Sequence, residues 1–268
     1  MAIHPTAVVS SEAQIDPSAD IGPFAVIDGP VRIGPRTRVF PNAYLAGWTE
    51  IGADCEIHPN AVVGHVPQDF HFGGERSYCR IGDGTIVREG ASVHRGTQPE
   101  SWTIVGPRCF LLASSHVGHN CVLGESVKVY NCAALSGHVE VGDFAIVSGY
   151  SLTHQFVRIG AYCMIGGGAR LTMDIPPYMS AVGETEVYGY NSIGLRRSGA
   201  FSRDEILDVK TAYRTLYRSG LPFRQAVDQL AGLVRTRTGR QILEFVRAES
   251  RRGIAGGAGS AAGAAQED

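Results

Sequence analysis

The chain has 268 residues and a formal net charge of −2, with a pI near 6.5, enough length for one large domain or two modest ones. That balance, without a basic block, speaks against nucleic acid as a partner and against an electrostatic membrane anchor. No apolar run approaches the ~20 residues of a membrane helix, so no stable membrane insertion is expected.

The N-terminal "MAIHPTAVVSS" has no basic region and no long apolar stretch, so no signal peptide is expected and a cytoplasmic location follows. Six cysteines (Cys55, Cys79, Cys109, Cys121, Cys132, Cys163) are scattered without a Cys-x-x-Cys pair. That usage fits a reducing compartment and argues against a zinc ribbon. The 34 glycines predict many tight turns.

From Ile3 onward an aliphatic residue recurs every six positions. Of the 29 positions in that frame up to Leu171, 25 are Ile, Val or Leu; the exceptions are Asp69, Glu75, Pro99 and Thr153. Neither a 3.6-residue helix nor plain strand alternation produces this period. A hexapeptide repeat does: each hexad is a short strand and a turn, and three hexads make one triangular coil. Small residues four places on (Ala7, Ala13, Ala19, Ala25, Ala43, Ala61) read as tight corners, and glycine often follows the aliphatic residue, as at Gly34, Gly82 and Gly118. The expected class is mainly β: a parallel β-helix over 1–183.

Two excursions interrupt the repeat at 64–80 and 94–104, and loops ejected from a regular solenoid are usual places for binding groups. Pro176 and Pro177 in "DIPPYMSAVG" are expected to stop strand propagation. A connecting segment follows over 184–200, then a helical region over 201–250. There Ser202 and Glu205 form a capping box, with Ile206, Val209, Tyr213, Leu216 and Tyr217 on one face. Gly220 ends that helix. Pro222 opens the next, with Phe223, Ala226, Val227, Leu230 and Val234 inward, and a third covers about 239–250. The Gly/Ala-rich end, 251–268, reads as disordered.

In a three-sided coil, residues 18 apart stack. Allowing for the second excursion, His94, His119, His138 and His154 gather along one corner, with Gly137 above His119 and His116 on the adjoining strand. Three readings fit such a cluster. The histidines are solvated corner residues, or zinc ligands at subunit boundaries as in the gamma-class carbonic anhydrases, or a general base with its orienting neighbours. In the third reading the Gly137 N–H faces a developing oxyanion.

The stretches "IGPFAVI", "VPQDFHFGGE", "SVHRGT", "HVGHNCVLG", "LSGHVEVGDFAIV", "THQFVRIGAYCMIGG", "DIPPY", "GLRR" and "FSRDEI", in this order from residue 3 to about 220, resemble the bacterial acyl-[acyl-carrier-protein]–UDP-N-acetylglucosamine O-acyltransferases. The resemblance implies a left-handed parallel β-helix with a C-terminal α-helical region. It further implies a homotrimer, and transfer of a (3-hydroxy)acyl chain from acyl carrier protein to the 3-position of a UDP-amino sugar, the first step of lipid A biosynthesis. No metal and no cofactor are implied, the carrier-protein thioester being a co-substrate.

By that resemblance His119 is the general base and Gly137 the oxyanion donor. Asp69 holds the sugar, while His116, His138, His154 and Gln155 line the sugar and acyl site. Gly167 is the floor that sets chain length, and Asn191 and Arg197 meet the nucleotide. Arginines from residue 196 onward (Arg196, Arg203, Arg214, Arg218) suit an acidic carrier protein, or simply a solvated helix face.

The sequence departs from the family at Asn120, where aspartate is usual after the base, at His71, where lysine is typical, and in "LRRSGAF", which places Ser198 at a nucleotide arginine. An amide positions an imidazole without stabilising its charge. A 3-amino sugar acceptor, being the better nucleophile, is the alternative these changes suggest. A zinc enzyme on the same fold and an inactive scaffold are the remaining readings.

Overall fold

The computed structural model describes residues 2–257, and the hexad region forms a parallel β-helix with three sheet faces. Among the described residues the first face carries 11 strands from Ala2–Ile3 to Glu186–Tyr190. The second carries 9, from Val8–Val9 to Arg170–Leu171, and the third 8, from Gln14–Ile15 to Arg158–Ile159. Partners along a face are 18 residues apart, as at Thr37 and Cys55. The offset is 30 across the first excursion, at Glu50 and Arg80, and 24 across the second, at Ser92 and His116. Both insertions are whole hexads, so every later side chain keeps its face. The excursions are shorter than expected, because His65, Tyr78, His94 and Trp102 already pair as strand residues.

The frame residues fill the prism. Ile21, Ile57, Leu111, Leu135 and Ile165 are fully buried, each contributing about 1.5–3 kcal/mol relative to exposure. The small residues do not turn the corner as expected. Ala25, Ala43, Ala61 and Ala133 are buried and point inward beside the aliphatics. A narrow triangular interior takes one large and one small side chain per strand, and native packing density leaves no room for two large ones. Cys55, Cys79, Cys109, Cys121 and Cys163 occupy this small position; all six cysteines are free, and burial pushes the Cys79 thiol up to about 12.

The corners belong to residues with left-handed φ, mostly not glycine: Asn42, Asn60, Asn120, His138, Phe156 and Tyr162 all lie between +55° and +65°. For the residues other than asparagine this conformation costs about 1–2 kcal/mol each. Stacking between coils offsets part of it, as where Phe144 lies 4.7 Å from Tyr162 and His138 lies 4.6 Å from Phe156. The glycines after the aliphatic residue serve a different need. A Cβ on Gly82 would stand 2.6 Å from Pro107 N of the next coil.

The prolines do not end the sheet. Ile175 still bridges Ile159, and Met179–Val182 extends the first face before turning back antiparallel against Glu186–Tyr190. Pro176 and Pro177 fall in the intervening turn, where no ladder N–H is required. Four helices follow: α1 (Ser192–Ser198), α2 (Arg203–Arg218), α3 (Phe223–Leu233) and α4 (Arg237–Arg247). The connecting segment therefore holds a strand and a helix. The Ser202–Glu205 capping box is present at α2. Phe223 is exposed rather than inward, while Ala226, Val227, Leu230 and Val234 are buried.

Residues 251–257 are not disordered. Asp174 N donates to Gly253 O, Ala255 N to Asp174 O and Val187 N to Gly256 O. Asp174, fully buried, also accepts from Ser250 Oγ at 2.7 Å and from Arg158 Nε at 2.7 Å. These backbone pairings hold the arm on the β-helix, something its glycine-rich composition does not display. The expected disorder of 258–268 lies outside the described residues.

Candidate active site

The histidines meet at the corner between the second and third faces. His94 and His116 sit on adjacent strands with their rings 4.9 Å apart, edge to face, and His119 and His138 make a second such pair at 5.2 Å. His154 lies at the same corner on the coil above, but among the described residues its ring touches none of the other histidines. It is exposed, and its Nδ1 lies 3.2 Å from Gln155 O. Gln155 is exposed beside it, on the coil above Gly137.

His119 is only 6% exposed. Its Nδ1 lies 3.0 Å from Asn120 Oδ1. A Cβ on Gly137 would fall inside van der Waals contact with His119 Cε1 and Nε2, so glycine is required for the ring to lie where it does. The Gly137 N–H donates to no group among the described residues. The His119 ring and a backbone donor with no partner among the described residues therefore share one corner, a pairing able to combine proton abstraction with oxyanion stabilisation.

The first excursion closes over this corner. Gln68 N donates to His94 Nδ1 at 3.3 Å, and the Asp69 carboxylate, itself lowered in part by His119, is the charge that raises His138. The His71 backbone N–H, 3.0 Å from Asp69 Oδ1, is the main cause holding the Asp69 carboxyl below its usual range. His71 itself is almost fully exposed.

Burial, then His116, His65 and His119, push His94 down to about 4. His116 and His138 are also lowered, first by burial. Between pH 6.5 and about 4 the unfolded His94 binds a proton that the folded ring refuses. Stability is thus expected to fall as pH drops through that window. Chemical denaturation across the window should show part of the slope vanish in His94→Gln; an unchanged slope would refute the assignment.

Sequence reasoning missed two groups here. Phe156 stacks on His138, and Arg251, from the arm read as disordered, lies 4.7 Å over the Phe156 ring. Both line an open cavity of ≈ 620 Å³ with Gln98, Asn120, His138 and Arg158. Only an arm returning across the fold brings Arg251 there, and local composition carries no sign of it. Arg251 is among the causes that lower His138, after burial and His119. Arg251→Ala should therefore raise the His138 titration midpoint in an NMR pH series; an unchanged midpoint would remove Arg251 from the site.

The other expected groups stand elsewhere. Gly167 is exposed at the corner between the first and second faces, above Gly149. Asn191 caps α1, accepting from Gly194 N at 3.0 Å and donating to Tyr162 O at 2.9 Å near the third corner. Arg197 is exposed in the last turn of α1 and forms no ion pair among the described residues. No three His, Cys, Asp or Glu side chains among the described residues are grouped to hold a metal ion.

Residues 174–255 match the family model described as "Udp N-acetylglucosamine O-acyltransferase; Domain 2", and 30–65 match "Bacterial transferase hexapeptide (six repeats)". A Paraburkholderia phymatum protein named acyl-[acyl-carrier-protein]–UDP-N-acetylglucosamine O-acyltransferase is 44% identical, covering 94% of this chain and 98% of its own. The Myxococcus xanthus protein of that name is 45% identical over 94% and 98%. Among solved structures, a UDP-N-acetylglucosamine acyltransferase from Bacteroides fragilis is 39% identical. It covers 94% of this chain and 99% of its own with a TM-score of 0.90. That from Francisella novicida is 33% identical over 96% and 95%, with a TM-score of 0.92.

Proposed function

The chain belongs to the acyl-[acyl-carrier-protein]–UDP-N-acetylglucosamine O-acyltransferase family, and we propose that it carries out that transfer with His119 as general base. It moves a (3-hydroxy)acyl chain from acyl carrier protein to the 3-hydroxyl of UDP-N-acetylglucosamine, the first step of lipid A biosynthesis. His119 Nε2 takes the hydroxyl proton as the oxygen attacks the thioester carbonyl carbon. The carbonyl electrons move to oxygen, and the Gly137 N–H faces that charge. Collapse breaks the C–S bond, and the departing thiolate takes the proton back from His119. The thioester is already activated, so the step needs no cofactor. The observation that carries this reading is the His119 ring anchored at Nδ1 by Asn120 and packed against Gly137.

The expected substrate groups lie at three different corners of one prism. That spread supports a homotrimer in which a neighbouring copy brings Gly167, Asn191 and Arg197 to the histidine corner. In that assembly Asp69, His116, His138, His154 and Gln155 line the sugar and acyl site. Arg196, Arg203, Arg214 and Arg218 are exposed and form no ion pairs among the described residues, which suits docking of an acidic carrier protein. No helix among the described residues is long and apolar enough to cross a membrane. We assign the enzyme to the cytoplasm, where its free thiols stay reduced.

Mass spectrometry of the product formed from mixed acyl carrier proteins tests this reading. A 3-O-acyl sugar nucleotide is expected, with the 3-hydroxyl acceptor turned over in preference to its 3-amino analogue. Preference for the amine would overturn the O-transfer assignment.

A further inference from the structure

Asn120 stands beside the base without a charge, yet its amide is not free to turn. Asn120 Oδ1 accepts from the Thr97 backbone N–H at 3.1 Å and from Thr97 Oγ1 at 3.0 Å, and faces His119 Nδ1 at 3.0 Å. The Thr97 hydroxyl can donate or accept, so it does not choose between amide orientations. The backbone N–H can only donate. With the amide turned over, two donors would face each other and a buried N–H would lose its partner. The oxygen therefore faces Thr97 N and, on its other side, His119. An amide oxygen can only accept, so Nδ1 carries the hydrogen and Nε2 carries the lone pair.

We propose that Thr97 is a positioning residue whose main-chain N–H, acting through Asn120, sets the tautomer of His119 that leaves Nε2 free as the base. The inference rests on the general-base reading above. It assigns the second excursion a task that neither periodicity nor family resemblance supplied.

The donor is held firmly. Thr97 is 6% exposed. The preceding residue is fixed by Gly96 N on Tyr78 O at 3.2 Å and by Ser77 Oγ on Gly96 O at 2.6 Å. The following turn is closed by Ser101 Oγ on Gln98 O at 2.7 Å. Asn120 is fixed from its own side by Thr103 Oγ1, which accepts from Asn120 N at 2.7 Å. A carboxylate at this position would present oxygen either way round and would need no such lock. The neutral amide does need one, and Thr97 N provides it.

The test replaces the Thr97 amide by an ester, using the α-hydroxy analogue of threonine in the full-length chain, so that only the N–H is lost. The ester is expected to lower kcat roughly tenfold with KM within about twofold. ¹⁵N NMR of the resting protein should show His119 gaining the Nε2–H tautomer. Thr97→Val keeps the N–H and should keep the tautomer. In Asn120→Asp protein the same ester should cost less than about twofold, because the carboxylate has no wrong orientation. An unchanged tautomer in the ester protein, or an equal loss of kcat in the native and Asn120→Asp backgrounds, would overturn the proposal. The NMR readout needs no substrate. If His119→Ala kept full turnover, the general-base reading would fall while the tautomer shift still judged the lock.

Discussion

His119→Ala is expected to lower kcat by about 10²–10⁴-fold while shifting KM little, because a general base acts on the transition state rather than on substrate binding. The fold should hardly notice. Asn120 Oδ1 keeps its two bonds from Thr97, so no buried acceptor is orphaned. The frame aliphatics that fill the prism do not include His119. The remaining cost is one side-chain hydrogen bond and one edge-to-face contact with His138, about 1–2 kcal/mol together. Steady-state kinetics beside a thermal melt separate the two effects. Turnover within about tenfold of the native enzyme would show that another group is the base.

Gly137→Ala should be nearly as damaging, for a steric reason. The added Cβ would overlap His119 Cε1 and Nε2 and stand 3.0 Å from Nδ1. The Gly137 φ is not in the left-handed region, so alanine fits the backbone and only the imidazole must give way. Turning the ring breaks its bond to Asn120 and removes Nε2 from the Gly137 N–H. A loss of about 10²-fold or more in kcat is expected. Overpacking should also cost about 1–3 kcal/mol. Both effects depend on the ring, so both should disappear in the His119→Ala background. Gly137→Ala would there change neither the residual rate nor the melting temperature. A loss that persists in the double variant would place the damage in the oxyanion donor or the turn.

Much of the site is legible in the amino-acid order. The six-residue frame marks Leu111, Leu135 and Ile165 as interior residues, and it brings His119 beneath Gly137. The same frame misassigned the small residues, because a period says which positions are equivalent but not which way they point. Ala61 and Cys79 face inward, and corner work falls to Asn120 and His138 in left-handed conformations. His154 shows the limit of stacking arithmetic. Its backbone position is in frame, yet its ring stands in solvent on the Gln155 carbonyl.

The repeat, its survival through two whole-hexad insertions, the capping box at Ser202 and the family all follow from residue order. Each is written in local residue types and regular spacing, where propensity and hydrophobic periodicity act. Folding in three dimensions was needed to bring Thr97 N to Asn120 across 23 residues, Ser250 to Asp174 across 76, and Arg251 over Phe156 beside His138. Such contacts depend on side-chain rotamers and on where a chain end returns. The hydrogen bonds that meet at Asn120 are likewise set by which segments the fold brings together, and the spacing of the histidines does not carry them.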